Sequence, residues 1–168
     1  MKNLLLLAVF VPLLSVGTTA QTGIPTSAAH GVKVERIPSI KVDLSTKDAR
    51  MFRTNLRNAA KDGVNFAGHF VLTSWGCGTN CNHAGIIDAR NGRVFFPTPL
   101  AGFGVGFESW LGEDDPLEFK PGSRLLILKG YSPNELNKEH PSGGYFYYLW
   151  NGTALRQIKF VKKSDPKE

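Results

Sequence analysis

The stretch Phe66–Pro97, FAGHFVLTSWGCGTNCNHAGIIDARNGRVFFP, decides the fold. Phe66–Trp75 is rich in aromatic and branched residues, the composition of a half-buried strand. A Gly-rich turn, Gly76-Cys77-Gly78-Thr79-Asn80-Cys81, then interrupts the β pattern. Ala84–Arg90 and Arg93–Pro97 flank Asn91-Gly92. That dipeptide predicts a hairpin with a two-residue turn, because both central positions of such a turn need positive φ.

Further along, the same signal returns. Tyr145–Trp150, Asn151-Gly152 and Thr153–Val161 read as a second hairpin. Ser123–Lys129 (SRLLILK) reads as a strand introduced by the turn Pro121-Gly122, and Tyr131–Gly144 as a long loop. No period repeats often enough to make a propeller. Upstream, Ser45–Lys61 predicts the one helix. Ser45 or Thr46 caps it, Asp48 lies in the first turn where the helix dipole favours an acid, and Gly63 is placed to end it. Ala49, Phe52, Leu56 and Ala59/Ala60 form its apolar stripe, and Arg50, Arg53, Arg57 and Lys61 a basic one that reads as a solvated face. Val32, Val34 and Ile37, near Pro25 and Pro38, suggest an edge strand at most. The fold class expected is α+β with β dominant: an antiparallel sheet of hairpins, rolled or sandwich-like, with one N-terminal helix packed on it.

The N-terminus predicts export. Lys2 precedes an apolar core of 11 residues, Leu4–Leu14, and the small residues Thr18 and Ala20 precede Gln21. A helix crossing a hydrocarbon layer of about 30 Å needs roughly 20 apolar residues, so this run predicts a cleaved signal and no stable membrane span. No cysteine follows it, which argues against a lipid anchor. The expected organisation is a signal peptide over 1–20, a leader or edge segment over 21–43, a single β-rich domain over 44–163 and a tail over 164–168. The expected location is periplasmic or secreted. Net charge is +6 for the whole chain, and Lys2 is the only charged residue of the signal, so the mature chain carries +5. The basic residues Arg156, Lys159, Lys162, Lys163 and Lys167 near the C-terminus read as a solvated strand end and terminus. With no basic helix and no zinc-finger spacing, nucleic acid is excluded as a partner.

Candidate chemistry concentrates around both cysteines of the chain. Exported cysteines usually pair, and glycines at 76 and 78 let Cys77 and Cys81 meet across three residues. A metal site is the second reading, with Cys77, Cys81, His83 and His69 as ligands. A thiol enzyme acting on amide or thioester bonds is the third: Cys77 as nucleophile, His69 or His83 as base and Asp88 orienting the base. Both histidines lie within fifteen residues of Cys77, unlike the usual chain order of thiol hydrolases. Trp75, Gly76, Gly78, Thr79 and Asn80 are the binding candidates if the loop is a recognition surface.

Elsewhere the signals are weaker. Ala101–Phe107 (AGFGVGF) is not a dinucleotide fingerprint, although its glycines leave one face bare for a ring or ligand. Glu113, Asp114, Asp115 and Glu118 lack the alternating oxygen ligands of a calcium loop. No cofactor is expected. Tyr145, Phe146, Tyr147, Tyr148 and Trp150 put aromatics on both faces of one strand, either as core or as an exposed recognition stripe.

The run Phe66-Ala67-Gly68-His69-Phe70, then Trp75-Gly76-Cys77-Gly78-Thr79-Asn80-Cys81, then Ile86-Ile87-Asp88 before Gly92, resembles an uncharacterised family of small exported bacterial proteins. That family carries an F-A-G-H-[YF] strand followed by W-G-C-G-T-x-C. The resemblance implies a bacterial envelope or secreted setting and transfers no catalytic residue. The expectation drawn from the whole chain is a non-catalytic module. It binds a partner protein or envelope component through the cysteine turn and neighbouring aromatics, with its oligomeric state left open.

Overall fold

The computed structural model describes residues 23–105 and 115–163. Two short helices, α1 (Lys47–Met51) and α2 (Arg53–Asp62), precede the strands. The strands are β1 (Phe70–Gly78), β2 (Cys81–Asp88), β3 (Val94–Phe95), β4 (Ala101–Phe103), β5 (Leu117–Phe119) and β6 (Leu125–Gly130). A single helical turn, α3 (Pro133–Leu136), leads to β7 (Gly144–Trp150) and β8 (Leu155–Lys162). They form two antiparallel four-stranded sheets. In the first, β2 lies between β1 on one side and both β3 and β4 on the other; the second is the meander β5-β6-β7-β8.

Alternation along the strands sets the layers. Phe70, Leu72, Ala84 and Ile86 of the first sheet share a core with Leu117, Leu126, Leu128, Phe146, Tyr148 and Trp150 of the second. Val71 and Ile87 point the other way and pack with Ala49, Leu56, Ala59 and Ala60 of the helices. The result is helix on sheet on sheet. Trp150 joins the hairpins at the centre: its ring meets Phe70 and Phe95 edge-on at 5.4 and 5.5 Å, and Phe66 at 6.4 Å. The aromatic strand is core, with Phe146, Tyr147, Tyr148 and Trp150 all buried. Burial pushes the Tyr148 hydroxyl up to about 12.

The predicted single helix is two. Thr46 caps α1, its Oγ1 accepting from the Ala49 N–H at 3.2 Å. The helical path breaks at Phe52 (φ −100°, ψ 18°), whose ring packs at 4.7 Å from that of Trp75. Arg50 turns back at this end to donate to the carbonyls of Leu44 and Ser45. Tertiary packing of one aromatic thus overrides a continuous helical pattern.

Both Asn-Gly hairpins form, but with four-residue loops in place of the predicted two. In the first, the Asp88 N–H donates to the Arg93 carbonyl, and residues 89–92 form the loop. In the second, Trp150 pairs with Leu155 across residues 151–154. Only the glycines take positive φ, 80° at Gly92 and 102° at Gly152. The asparagines act through their side chains: Asn91 Oδ1 accepts from the Arg93 N–H, and Asn151 Oδ1 from the N–H groups of Thr153 and Ala154. The leader, expected to reach an edge strand at most, is a strap. Its backbone bonds go to separate segments: Val32 N–H to Gly122, Glu35 N–H to Gly68 and Asp43 N–H to Gly92. Ile40, Val42 and Leu44 of the strap cover the helical core.

Trp150→Ala should lower unfolding free energy by about 3–5 kcal/mol, the range for emptying a large aromatic site. Urea denaturation followed by circular dichroism measures it.

Candidate functional site: the cysteine tip and the histidine clamp

The cysteine turn is the tip of the β1–β2 hairpin. Gly78 pairs with Cys81, leaving Thr79-Asn80 as a two-residue turn. Asn80 takes φ 53° and Gly78 φ 141°, so here, unlike at the Asn-Gly sites, an asparagine itself takes positive φ. A bulge between Gly76 and Gly78 accommodates Cys77. Cys77 and Cys81 are bridged, with Cα atoms 5.1 Å apart, and no cysteine is free. The Asn80 carboxamide is a latch: its Oδ1 accepts from the Val105 N–H at 2.8 Å. Gly76, Cys77, Gly78 and Thr79 are exposed.

Trp75 is the floor of the tip. Its ring lies on Phe52 and against Gly85, where an added Cβ would stand 3.3 Å from the indole. The glycine at 85 therefore makes room for the tryptophan. His83, opposite Trp75 in register, faces Phe52 at 5.9 Å between ring centroids. One of its ring nitrogens and both cysteine sulfurs lie within 4.8 Å of one another.

His69 is elsewhere. It precedes β1 at the end remote from the bridge, and the seven strand steps from Phe70 to Cys77 span about 23 Å. The expected four-ligand set Cys77, Cys81, His83 and His69 therefore does not converge. A Cys77 nucleophile served by His69 and Asp88 fails for the same reason, and the bridge occupies the sulfur such a nucleophile needs.

His69 and Asp88 do meet, as the spacing of the two strands requires. His69 Nε2 is 3.8 Å from Asp88 Oδ1, and Nδ1 is 3.9 Å from Glu35 Oε1. Both ring nitrogens thus face carboxylates. Arg90 holds Glu35 from the far side through Nε and Nη2, which keeps the Glu35 carboxyl below its ordinary range. The backbone here is drawn into left-handed geometry, φ 45° at Ala67 and 88° at Gly68. The N–H groups of Ala67 and Gly68 donate to Ser123 and Pro121, and the Gly68 carbonyl accepts from the Glu35 N–H. A Cβ at Gly68 would stand 2.8 Å from the Lys33 carbonyl. Phe66-Ala67-Gly68-His69 therefore ties the strap, the first sheet and the β5–β6 turn together. An open cavity of about 390 Å³ lies against it, and its described walls include no serine, threonine, cysteine or tyrosine. The geometry is that of a clamp built on the Glu35–Arg90 ion pair, and the described cavity walls place no nucleophilic hydroxyl or thiol beside the imidazole. Sequence reasoning found His69 and Asp88 but missed Glu35 and Arg90, which are 55 positions apart and carry no local pattern.

The remaining candidates are structural where they are described. Gly104 exchanges two backbone bonds with Tyr131, and a Cβ on it would meet Leu136 at 3.1 Å and the Asn80 carbonyl at 3.2 Å. Asp115 caps the Leu117 N–H, and Glu118 pairs with Lys129. Gly106, Phe107, Glu113 and Asp114 lie outside the described residues. No family model matches the chain, and no curated protein or solved structure matches it.

Two predictions follow from the geometry. Replacing both cysteines by serine should cost about 2 kcal/mol, the loop-entropy value for so short a closure, and leave the fold intact by circular dichroism. For Glu35 the folded carboxyl titrates below its ordinary value of 4.5, so its contribution is present above that pH and is lost as pH falls through the folded value. Glu35→Gln should therefore be less stable than the parent at neutral pH, the gap closing on acidification. Denaturation midpoints across that range test it.

Proposed function

We propose that this is an exported bacterial protein, cleaved near Ala20, that acts as a non-catalytic binding module of the cell envelope. It engages a partner protein or envelope component through the tip of the β1–β2 hairpin. The observation that carries this reading is the pre-shaped tip. Gly76, Cys77, Gly78 and Thr79 are exposed, while the bridge, the Asn80 latch and the Trp75 floor hold the loop. A loop already fixed in shape loses little conformational freedom on binding, and that saving appears directly as affinity. Bridged cysteines suit an oxidising compartment, and no described helix is long and apolar enough to cross a membrane. The signal-like N-terminus and the resemblance of the F-A-G-H and W-G-C-G-T-x-C runs to small exported bacterial proteins point the same way. Asn80 serves as a latch within this site, and Trp75 as its support. Thr79 and the glycine backbone are the contact surface.

Expression of the full chain in a bacterium tests both parts. The exported product should begin at Gln21 and take up no alkylating agent until reduced, then two equivalents, one for each cysteine of the chain. It should co-sediment with purified envelope fractions, and Thr79→Lys or Gly76→Glu should weaken this about tenfold or more without lowering Tm. Both positions tolerate a side chain: Thr79 is exposed, and a Cβ on Gly76 meets nothing within 4 Å. Alkylation before reduction, or binding indifferent to both substitutions, overturns the reading.

A further inference from the structure

The open edge of β1 carries an inference that rests on the binding-module reading and names the partner's chemistry. Backbone groups of a strand alternate in direction, so every second residue of β1 turns its N–H and C=O away from β2. Leu72 is one of these: both groups bond the Asn65 carboxamide, at 2.7 and 2.9 Å. Phe70 is another, bonded to Phe66 and Asn65. Ser74 and Gly76 are next in this series. Both are exposed, and β1 pairs with β2 alone, so among the described residues their outward N–H and C=O groups have no backbone partner.

The other edges are managed in ways that discourage pairing. On β8 lie Arg156, Lys159 and Lys162, with a register shift opposite Tyr147 and Tyr148. Strand β3 has two residues and β5 three, and β4 continues into the Gly104–Tyr131 bridge. On β1 the first half is capped by Asn65 and Phe66, and the distal half carries no charged residue.

A groove of about 440 Å³ runs beside this edge, lined by Asn55, Asn58 and Asp62 of α2, by Thr73 and Ser74, and by Asp115. Its described walls hold two carboxylates and no lysine or arginine, on a chain of net charge +6. Lys61 of α2 donates to Asn58 Oδ1 and brings one ammonium to the rim of the groove. Asp62 ends α2, where the helix dipole adds further negative potential. The amides and hydroxyls suit a peptide backbone, and the carboxylates a basic side chain.

We propose that Ser74–Gly76 is a docking edge for an extended peptide carrying lysine or arginine, added to the first sheet as a further strand. Backbone pairing supplies the affinity and the acidic groove the selectivity.

The test uses the full mature chain and three synthetic heptapeptides: alternating Val and Lys, alternating Val and Glu, and the Val–Lys peptide with its backbone N-methylated. Amide hydrogen exchange by NMR should show Ser74 and Gly76 protected about tenfold or more by the Val–Lys peptide and not by the N-methylated one. The Val–Glu peptide should bind about tenfold more weakly, and Asp62→Lys should reverse that preference. Ser74→Pro, which removes one outward donor, should abolish protection at Gly76. Should proline unfold the hairpin, Asp62→Lys alone decides, since lysine suits a helix C-terminus. Equal binding of the Lys and Glu peptides, protection elsewhere, or protection that rises with protein concentration alone, as a second copy would give, overturns the proposal. If envelope binding still depends on Thr79 while no peptide protects Ser74 and Gly76, the docking edge falls and the binding-module reading stands. If the peptides bind as described while envelope binding ignores Thr79, the reverse holds.

Discussion

The register of β1 on β2 is the constraint on which the other layers depend. Val71 pairs with Ile87, and Leu72 with Ile86. The first pair faces the helices, and the second faces the core shared by the two sheets. Because both faces of this hairpin are buried, a slip of one residue would exchange the two sets and leave each facing a surface shaped for the other. The short turn Thr79-Asn80 and the Cys77–Cys81 bridge fix that register at one end. At the other end, the Asn65 carboxamide and the Phe66 backbone fix it by occupying the outer edge of β1.

Much of the architecture was legible in the sequence because it is written in local chemistry. Alternation and Asn-Gly located both later hairpins, and the apolar stripe Leu56–Ala59/Ala60 located the buried helical face. What escaped was set at a distance. The break at Phe52 answers to Trp75, and the strap answers to Gly68, Gly92 and Gly122. Loop length escaped for a subtler reason. Asn-Gly specifies a tight turn only when the asparagine takes positive φ, and here Asn91 and Asn151 accept local backbone N–H bonds while glycine alone takes it.

The site shows the same division. The cysteine pairing was legible from spacing and glycine content, since a three-residue separation leaves few geometries. The histidines were close in sequence, yet one nine-residue strand separates them into two neighbourhoods with different chemistry. His83 belongs to the tip, and His69 to a clamp whose other members, Glu35 and Arg90, no motif announces. In an extended strand, nearness along the chain is distance in space.

The strap has a bearing on the order in which the molecule takes shape. Gly31 bridges Ser123, 92 positions further along the chain, and the His30 carbonyl waits for the N–H of Arg124. A chain that emerges N-terminus first therefore presents a segment with no docking place until the β6 region has followed it. His30 and Gly31 can be tied down only once Gly122–Arg124, the connection between β5 and β6, is present. Such long-range pairing folds slowly. Until Gly122–Arg124 has followed, the strap cannot make these closing contacts.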